Sequence, residues 1–586
     1  MKPVRALHAA GGTLLALALV VAACADDRDR FAESNGGFGT DASTPDAPAC
    51  GFQCSLDGRA VIEACTGEIV ETCPPELACG GARCQEPCAA AAADRSSNGC
   101  EFYFQMPRFS ALFPQSCYAA FIVNPSTRPV ELTFEHEGKT LDISKAVYRT
   151  NPGDAKLLPL EGPIPPGESA IVFVADRPPN SDVTPEGDYV PCPEGVVPAL
   201  RLNVGPGTRI GTAFHLRSNG PVGAVAMYPF GGAASFVPSA TLLFPVATWG
   251  REHLIVNGWE TVRSGDPAAQ IVAQEDGTEV TIIPTRDIQN GASVTGTAAR
   301  VPATYRLDKG EYLQLVQEEE LSGSIVSANK ATTVFGGHGC AFVPTNSAAC
   351  DVLNQQLPPF EQWGNEYVGV GYRPRLLSES EPLLYRIVAA RDGTVLDYDP
   401  VRPPGAPVTM TAGEVVTFSA GTGEAFVVRS QDAEHAFYLA TYMTGSSPEY
   451  GGRGDPEFVN VVAAKQYLNA YSFYADPTYK ETSLVVVRAK TNGAFKDVWL
   501  ECAGHLTGFQ PIGTRGEYEY VRVDLSRNGG PGDVFGDKVC QNGLQRMKSE
   551  GPFTATIWGW DFCASYAYPG GMAQRKLVET PLTPVH

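Results

Sequence analysis

The chain has 586 residues, 43% hydrophobic and 19% charged, which is too long for one hydrophobic core to serve and sets a prior of about four folded units. Its 61 glycines and 47 prolines mark a turn-rich globular composition, short of the low-complexity range. Lys and Arg total 44 against 65 Asp and Glu, and the resulting −21 excludes binding to nucleic acid or bare anionic lipid through net charge.

Lys2 and Arg5 precede an apolar run from Leu14 to Ala23, the layout of a secretory signal. That run is too short to span a bilayer, which needs about 20 residues. Val21-Ala22-Ala23-Cys24 resembles the lipobox of bacterial lipoproteins, in which the cysteine thiol is acylated before cleavage. Residues 1–24 are then a lipoprotein signal and Cys24 the lipidated N-terminus; the plainer alternative is an Ala-x-Ala cleavage with Cys24 incidental. Acylation would moor the chain to the cell envelope, at the outer surface or facing the periplasm, through lipid alone. Residues 25–49 are polar, contain Gly, Ser and Pro, and read as a disordered tether.

Residues 50–99 hold Cys50, Cys54, Cys65, Cys73, Cys79, Cys84 and Cys88, with Cys100 just beyond. So short a segment with few aliphatic side chains needs cross-links in place of a core, and an exported chain meets oxidising conditions. Zinc is the weaker reading, because no histidine falls between 50 and 100. Cys117, Cys192, Cys340, Cys350, Cys502, Cys540 and Cys563 follow. Cys340 with Cys350 and Cys502 with Cys540 are candidate disulfides. With Cys24 set aside the total is odd, which implies one free thiol or an intermolecular bond.

From 100 onward a unit recurs. It opens as IVNPSTRPVELTF (122–134), IVAQEDGTEVTII (271–283), IVAARDGTVLDYD (387–399) and, more faintly, LVVVRAKTNGAFKDVWLE (484–501), each predicting a hairpin. Gly-Glu pairs at 167, 310, 413 and 516 each precede a further strand, and a closing strand completes each copy at 212–229, 324–338, 425–442 and 552–569. The fold class expected is all-β: about four tandem sandwich-like modules behind a small disulfide-rich segment. One module occupies 100–240, a region of about three repeats occupies 241–572, and 573–586 is a C-terminal tail. Short helices are expected only near Cys88–Ser97 and Asp351–Gln362.

Six phrases carry a family resemblance: LLFPVATWGREHLIVNG (242–258), VFGGHGCAFVP (334–344), CDVLNQQLPPFEQWGNEYV (350–368), YRIVAARDGTV (385–395), GDPEFVNVVAAKQYL (454–468) and IWGWDFCASYAYPGG (557–571). Together they resemble the IgGFc-binding protein N-terminal domain family, best from about 240 to 572. The resemblance implies an all-β extracellular recognition or adhesion module with no enzymatic role. The Cys-Gly-Leu-Cys-Gly motif of the von Willebrand-type repeats in animal members is absent, and no ligand residues transfer position by position.

Chemistry-bearing motifs are scarce. There is no His-Glu-x-x-His, Gly-x-Ser-x-Gly or Gly-x4-Gly-Lys-Ser/Thr, so no catalytic residue, metal or cofactor is assigned. His338 lies two residues from Cys340 on a Gly-rich turn, but a Cys–His nucleophile needs a free thiolate, which conflicts with a Cys340–Cys350 bridge. Asp392, Asp397 and Asp399 read as a solvated strand face more readily than as calcium ligands. Trp558, Trp560, Phe562, Tyr566 and Tyr568 alternate, so a strand throws them to one side. Trp558, Trp560, Tyr566 and Tyr568 are the candidate ligand-facing residues, as a stacking face for sugar rings; the alternative is that they fill the last sandwich. Arg453-Gly454-Asp455 reads as a turn and Glu318-Glu319-Glu320 as a solvated loop. The expected function is non-enzymatic adhesion or recognition of an extracellular protein or glycan by a lipid-anchored protein. Its rivals are a secreted polysaccharide hydrolase and a structural envelope component.

Overall fold

The computed structural model describes residues 51–55, 58–179, 181, 189–235, 237–376 and 380–582; the signal segment, Cys24 and the tether lie outside them. Gly167, Gly310, Gly413 and Gly516 have φ of 68°, 79°, 74° and 64°, a region glycine enters without a steric penalty. Each Gly-Glu pair is therefore a tight turn delivering the third strand of its module.

Every module has the same six strands. A lead strand comes first: Asn98–Phe104, Gly250–Leu254, Glu366–Gly369 and Leu468–Ala475 in the four modules. The first strands are Tyr118–Val123, Pro267–Ala273, Pro382–Ala389 and Glu481–Ala489. The second are Leu132–His136, Thr278–Ile283, Thr394–Asp399 and Val498–Leu500. Third strands follow at Ser169–Asp176, Glu311–Val316, Val415–Gly421 and Tyr518–Arg527. The long fourth strand is Phe214–Tyr228, Ile325–Ala341 or Gly543–Asp561, and in the third module it is broken into Phe426–Ser430 and Phe437–Met443. Ser239–Leu242, Asp351–Leu357, Glu457–Asn460 and Ala564–Pro569 are the fifth.

The opening runs do not form hairpins, contrary to the sequence expectation. The N-terminal half of the fourth strand pairs with the lead and second strands. Its C-terminal half pairs with the first strand, which in turn pairs with the third. The turns at Gly277 and Gly393, with φ of 64° and 70°, thus carry the chain across the fourth strand, from its C-terminal half to its N-terminal half; in the third module, where that strand is broken, the two sides are separate sheets. A turn signal specifies reversal, not which strands then bond.

Each fifth strand pairs with the end of its own fourth strand and packs against the fifth strands of two other modules, so the four make a closed ring. Every residue in them is buried. This corrects the helix expected at Asp351–Gln362. A strand covered on both faces loses period-two alternation and cannot be told from a helix by pattern; only Phe360–Gln362 forms a helical turn, of 3-10 type. The expected helix after Cys88 is present as Pro87–Asp94, N-capped by the Glu86 carboxylate.

Short 3-10 turns at Val246–Thr248, Phe360–Gln362 and Ala464–Gln466 link each fifth strand to the next lead strand. Glutamines stitch them together: Gln362 Nε2 donates to Thr248 O at 2.6 Å, and Gln466 Nε2 to Gln362 O at 2.9 Å and Arg575 O at 2.8 Å. The ring closes where Ser97 N donates to Met572 O and Gln574 N to Arg95 O. Residues 573–582 are therefore not a free tail: Val578 and Leu582 are buried, and Leu577 N and Val578 N donate to Glu361 O.

Disulfides join Cys54–Cys79 and Cys73–Cys84 in the N-terminal knot, Cys88–Cys100 from helix to lead strand, and Cys117–Cys192, Cys340–Cys350 and Cys502–Cys540 in the modules. Cys65 is also disulfide-bonded, and Cys563 is the free cysteine among the described residues. Gln466→Ala strips two backbone carbonyls of their donor; an unfolding titration is expected to show a loss of about 2–4 kcal/mol.

Candidate functional site

A cavity of about 710 Å³ lies between the second and third modules. Its floor is Arg386, from the third module's first strand. The guanidinium is buried and donates to Glu320 Oε2 at 2.6 Å and to Asn257 O at 3.2 Å, and it lies 5.5 Å from the centroid of the Trp259 ring. Glu320 ends the acidic run that follows the second module's third strand, so this run is a cleft wall and an inter-module clamp, not merely a solvated loop. Sequence spacing gave no signal for the pairing, because the two residues lie 66 positions apart.

Glu260, Glu318, Glu319, Glu320 and Glu414 line the cleft against Arg286, Arg300 and Arg386, leaving its lining net acidic. Arg286 sits 3.8 Å from Glu319, both largely exposed, so that pair contributes little. Glu414 accepts from Thr411 N at 2.8 Å and Oγ1 at 3.1 Å, and Glu260 accepts from the Thr345 hydroxyl. The carboxylate of Glu318 has no ion pair among the described residues. At the neck the two backbones touch: a Cβ on Gly323 would stand 2.1 Å from Gly413 O.

The aromatic stripe is elsewhere and faces inward. Trp558, Trp560, Tyr566 and Tyr568 are at most 1% exposed. Trp558 packs on Tyr372 at 4.9 Å and Tyr566 on Tyr479 at 4.7 Å, while the Tyr566 hydroxyl accepts from Asp476 N. They are core and present no face to a ligand, contrary to the ligand-facing expectation. Alternation did not put them on one side: the turn between the two strands shifts the phase, pairing Trp558 with Ala567 and Tyr566 with Gly559, so the tryptophans and the tyrosines lie on opposite faces, both covered. Phe562, in the turn beyond the strand, is 66% exposed.

His338 is fully buried; its Nε2 lies 3.0 Å from Glu260 O, and its Nδ1 accepts from Cys340 N at 3.1 Å. Burial pushes its pKa down to about 3, so the ring is neutral, and Cys340 is bonded to Cys350; no nucleophile pair exists here. Asp399 accepts from Thr514 N and Oγ1, and Asp397 pairs with Arg515, so these carboxylates tie the third module to the fourth. Asp455 is 1% exposed, which removes the Arg453-Gly454-Asp455 tripeptide from any external partner. Among the described residues no three His, Cys, Asp or Glu side chains could hold a metal ion.

Residues 239–559, more than half of the chain, match the family described as IgGFc binding protein. The chain belongs to that family. The human IgGFc-binding protein is 25% identical over 290 residues, 49% of this chain but only 5% of the human protein's own length. No solved structure matches. The family is named for binding, and its matched segment runs from the first module's fifth strand into the fourth module's fourth strand. It therefore includes the whole lining of the cleft. Gly393, with φ of 70° and nothing within 4 Å of where a methyl group would stand, calibrates Gly323, with φ of 84° and the Gly413 carbonyl in the way. In denaturant titrations Gly393→Ala is expected to cost about 1 kcal/mol and Gly323→Ala more than about 3 kcal/mol, because backbone must move.

Proposed function

We propose that this protein is a cell-envelope lipoprotein, moored through acylated Cys24, whose four-module ring displays a non-enzymatic recognition site for an extracellular protein or glycan. The observation carrying this reading is the acid-lined cleft between the second and third modules, inside the family segment. Its walls are strands and strand ends of two sandwiches clamped by Arg386 and Glu320. A preorganised surface loses little freedom on binding, and net negative charge selects a basic face on the partner and speeds its encounter.

A polysaccharide hydrolase would need two carboxyl groups free to act across a glycosidic bond. Glu320 and Glu414 are each engaged by a partner in the cleft wall, and Glu319 faces Arg286. The recognition reading accounts for the cleft without asking those contacts to break. The human relative is named for binding IgG Fc, so Fc is the first protein to test.

The full chain is to be immobilised and exposed to IgG Fc and to a glycan array. Capture of one ligand class is expected, weakened about tenfold or more by Glu318→Lys with Glu319→Lys, whereas undiminished capture would move the contact elsewhere and turnover of a glycan would refute the non-enzymatic reading. Cells fed a clickable palmitate are expected to label the wild-type chain and not Cys24→Ala; equal labelling of both would sink the anchor.

A further inference from the structure

Asp351 opens the second module's fifth strand directly after the Cys340–Cys350 bridge. It is fully buried, and neither carboxyl oxygen has a hydrogen-bond partner. One oxygen of Glu457, one of Asp476 and the Tyr479 hydroxyl are buried and unpartnered as well. Unpaired buried polar groups at this density call for an explanation, and an ionised carboxylate with no donor is the most costly kind.

The charged and titratable groups acting on Asp351 are Asp455 and Glu457, from the third module's hairpin, and the free Cys563 thiol at the tip of the fourth. Tyr479 feels Asp476, Tyr566, Asp351 and Glu457. Among the described residues no cation is a leading influence on Asp351 or Glu457. Arg375 acts on Asp455, but its guanidinium is already bonded to Glu381, Thr444 and the Arg453 carbonyl. Metal chelation would be the other way to neutralise such a cluster, and the described side chains do not converge for it. What remains is a proton.

We propose that Asp351 is a carboxylic acid in the folded ring, and that the axis is a proton latch that holds the fourth–fifth hairpins of the second, third and fourth modules together and loosens as the pH rises past neutrality. Burial first, then Asp455 and Glu457, raise Asp351 well above the ordinary carboxyl value. Asp455 is pushed up to about 7 and Asp476 to about 6, both by burial. A carboxyl whose folded value is raised favours the native state at low pH, and that advantage is lost from the unfolded value, about 3.9, upward to the folded one. The buried histidines act in the opposite sense: His253 and His338 are lowered to about 4 and about 3. Their effect falls off above the unfolded histidine value of about 6.5 and leaves only a small opposing tail at pH 7.0, so a comparison at pH 7.0 and 8.0 is dominated by the carboxyls.

Urea unfolding of the full chain at these two pH values tests the latch. Each carboxyl that stays protonated in the native state raises the unfolding constant about tenfold over that interval. A rise of at least about tenfold is expected for the wild type, and Asp351→Asn should remove about tenfold of it while unfolding less readily at pH 8.0. Glu457→Gln is the second variant, with the same expectation, should Asp351→Asn not fold. A wild-type constant that is flat or falls, or a variant that keeps the full wild-type rise, overturns the proposal. So does abolition of the rise by 1 mM calcium chloride, which would make the occupant a cation.

Discussion

Four strands meet at the axis of this protein with no solvent on either side of them, and their polar groups must be satisfied by one another. Gln355 Nε2 donates to Ala240 O at 2.7 Å, Gln356 N to Thr241 Oγ1 at 2.8 Å and Asn460 Nδ2 to Gln356 O at 2.8 Å. Ser239 Oγ reaches Glu457 and Ser565 Oγ reaches Asp455 O. Side chains on one fifth strand thus occupy groups on the next where no direct strand pairing exists. Such a network is worth most when complete, because any member left over stays buried and unpaired.

The hydrophobic packing follows the same geometry. One apolar cluster combines second-module residues such as Ile271 and Leu313 with Tyr438 and Phe458 of the third and Val578 and Leu582 of the closing strap. Another joins Phe121 and Phe173 of the first module to Tyr385 of the third and Trp558 of the fourth. Modules that share cores in this way are not beads on a string. It also follows that the segment with family similarity, 239–559, is not a complete ring: it holds three of the four axis strands, while the rest of the first module and the fourth axis strand, Ala564–Pro569, lie outside it.

The cleft is a by-product of that fusion. Two sandwiches brought together at Gly323 and Gly413 diverge outward from the contact, and the diverging walls carry the glutamates. Rigidity of the walls and solvation of the carboxylates are thereby separated: Arg386 and Glu320 do the clamping, while Glu318 and Glu319 remain at the water.

The sequence by itself determined the all-β class, the order of the recurring strands, the four Gly-Glu turns, the pairing of Cys340 with Cys350 and of Cys502 with Cys540, and the family. Each of these rests on local spacing, on a residue's intrinsic backbone preference or on a short recurrent phrase. Only the tertiary structure decided that Asp351–Leu357 is a strand, that the two strands of each opening run do not pair with each other, that the even-numbered aromatics are buried and that 573–582 closes the ring. Those outcomes depend on what covers each face. Covering surfaces come from residues tens to hundreds of positions away, which no local pattern encodes.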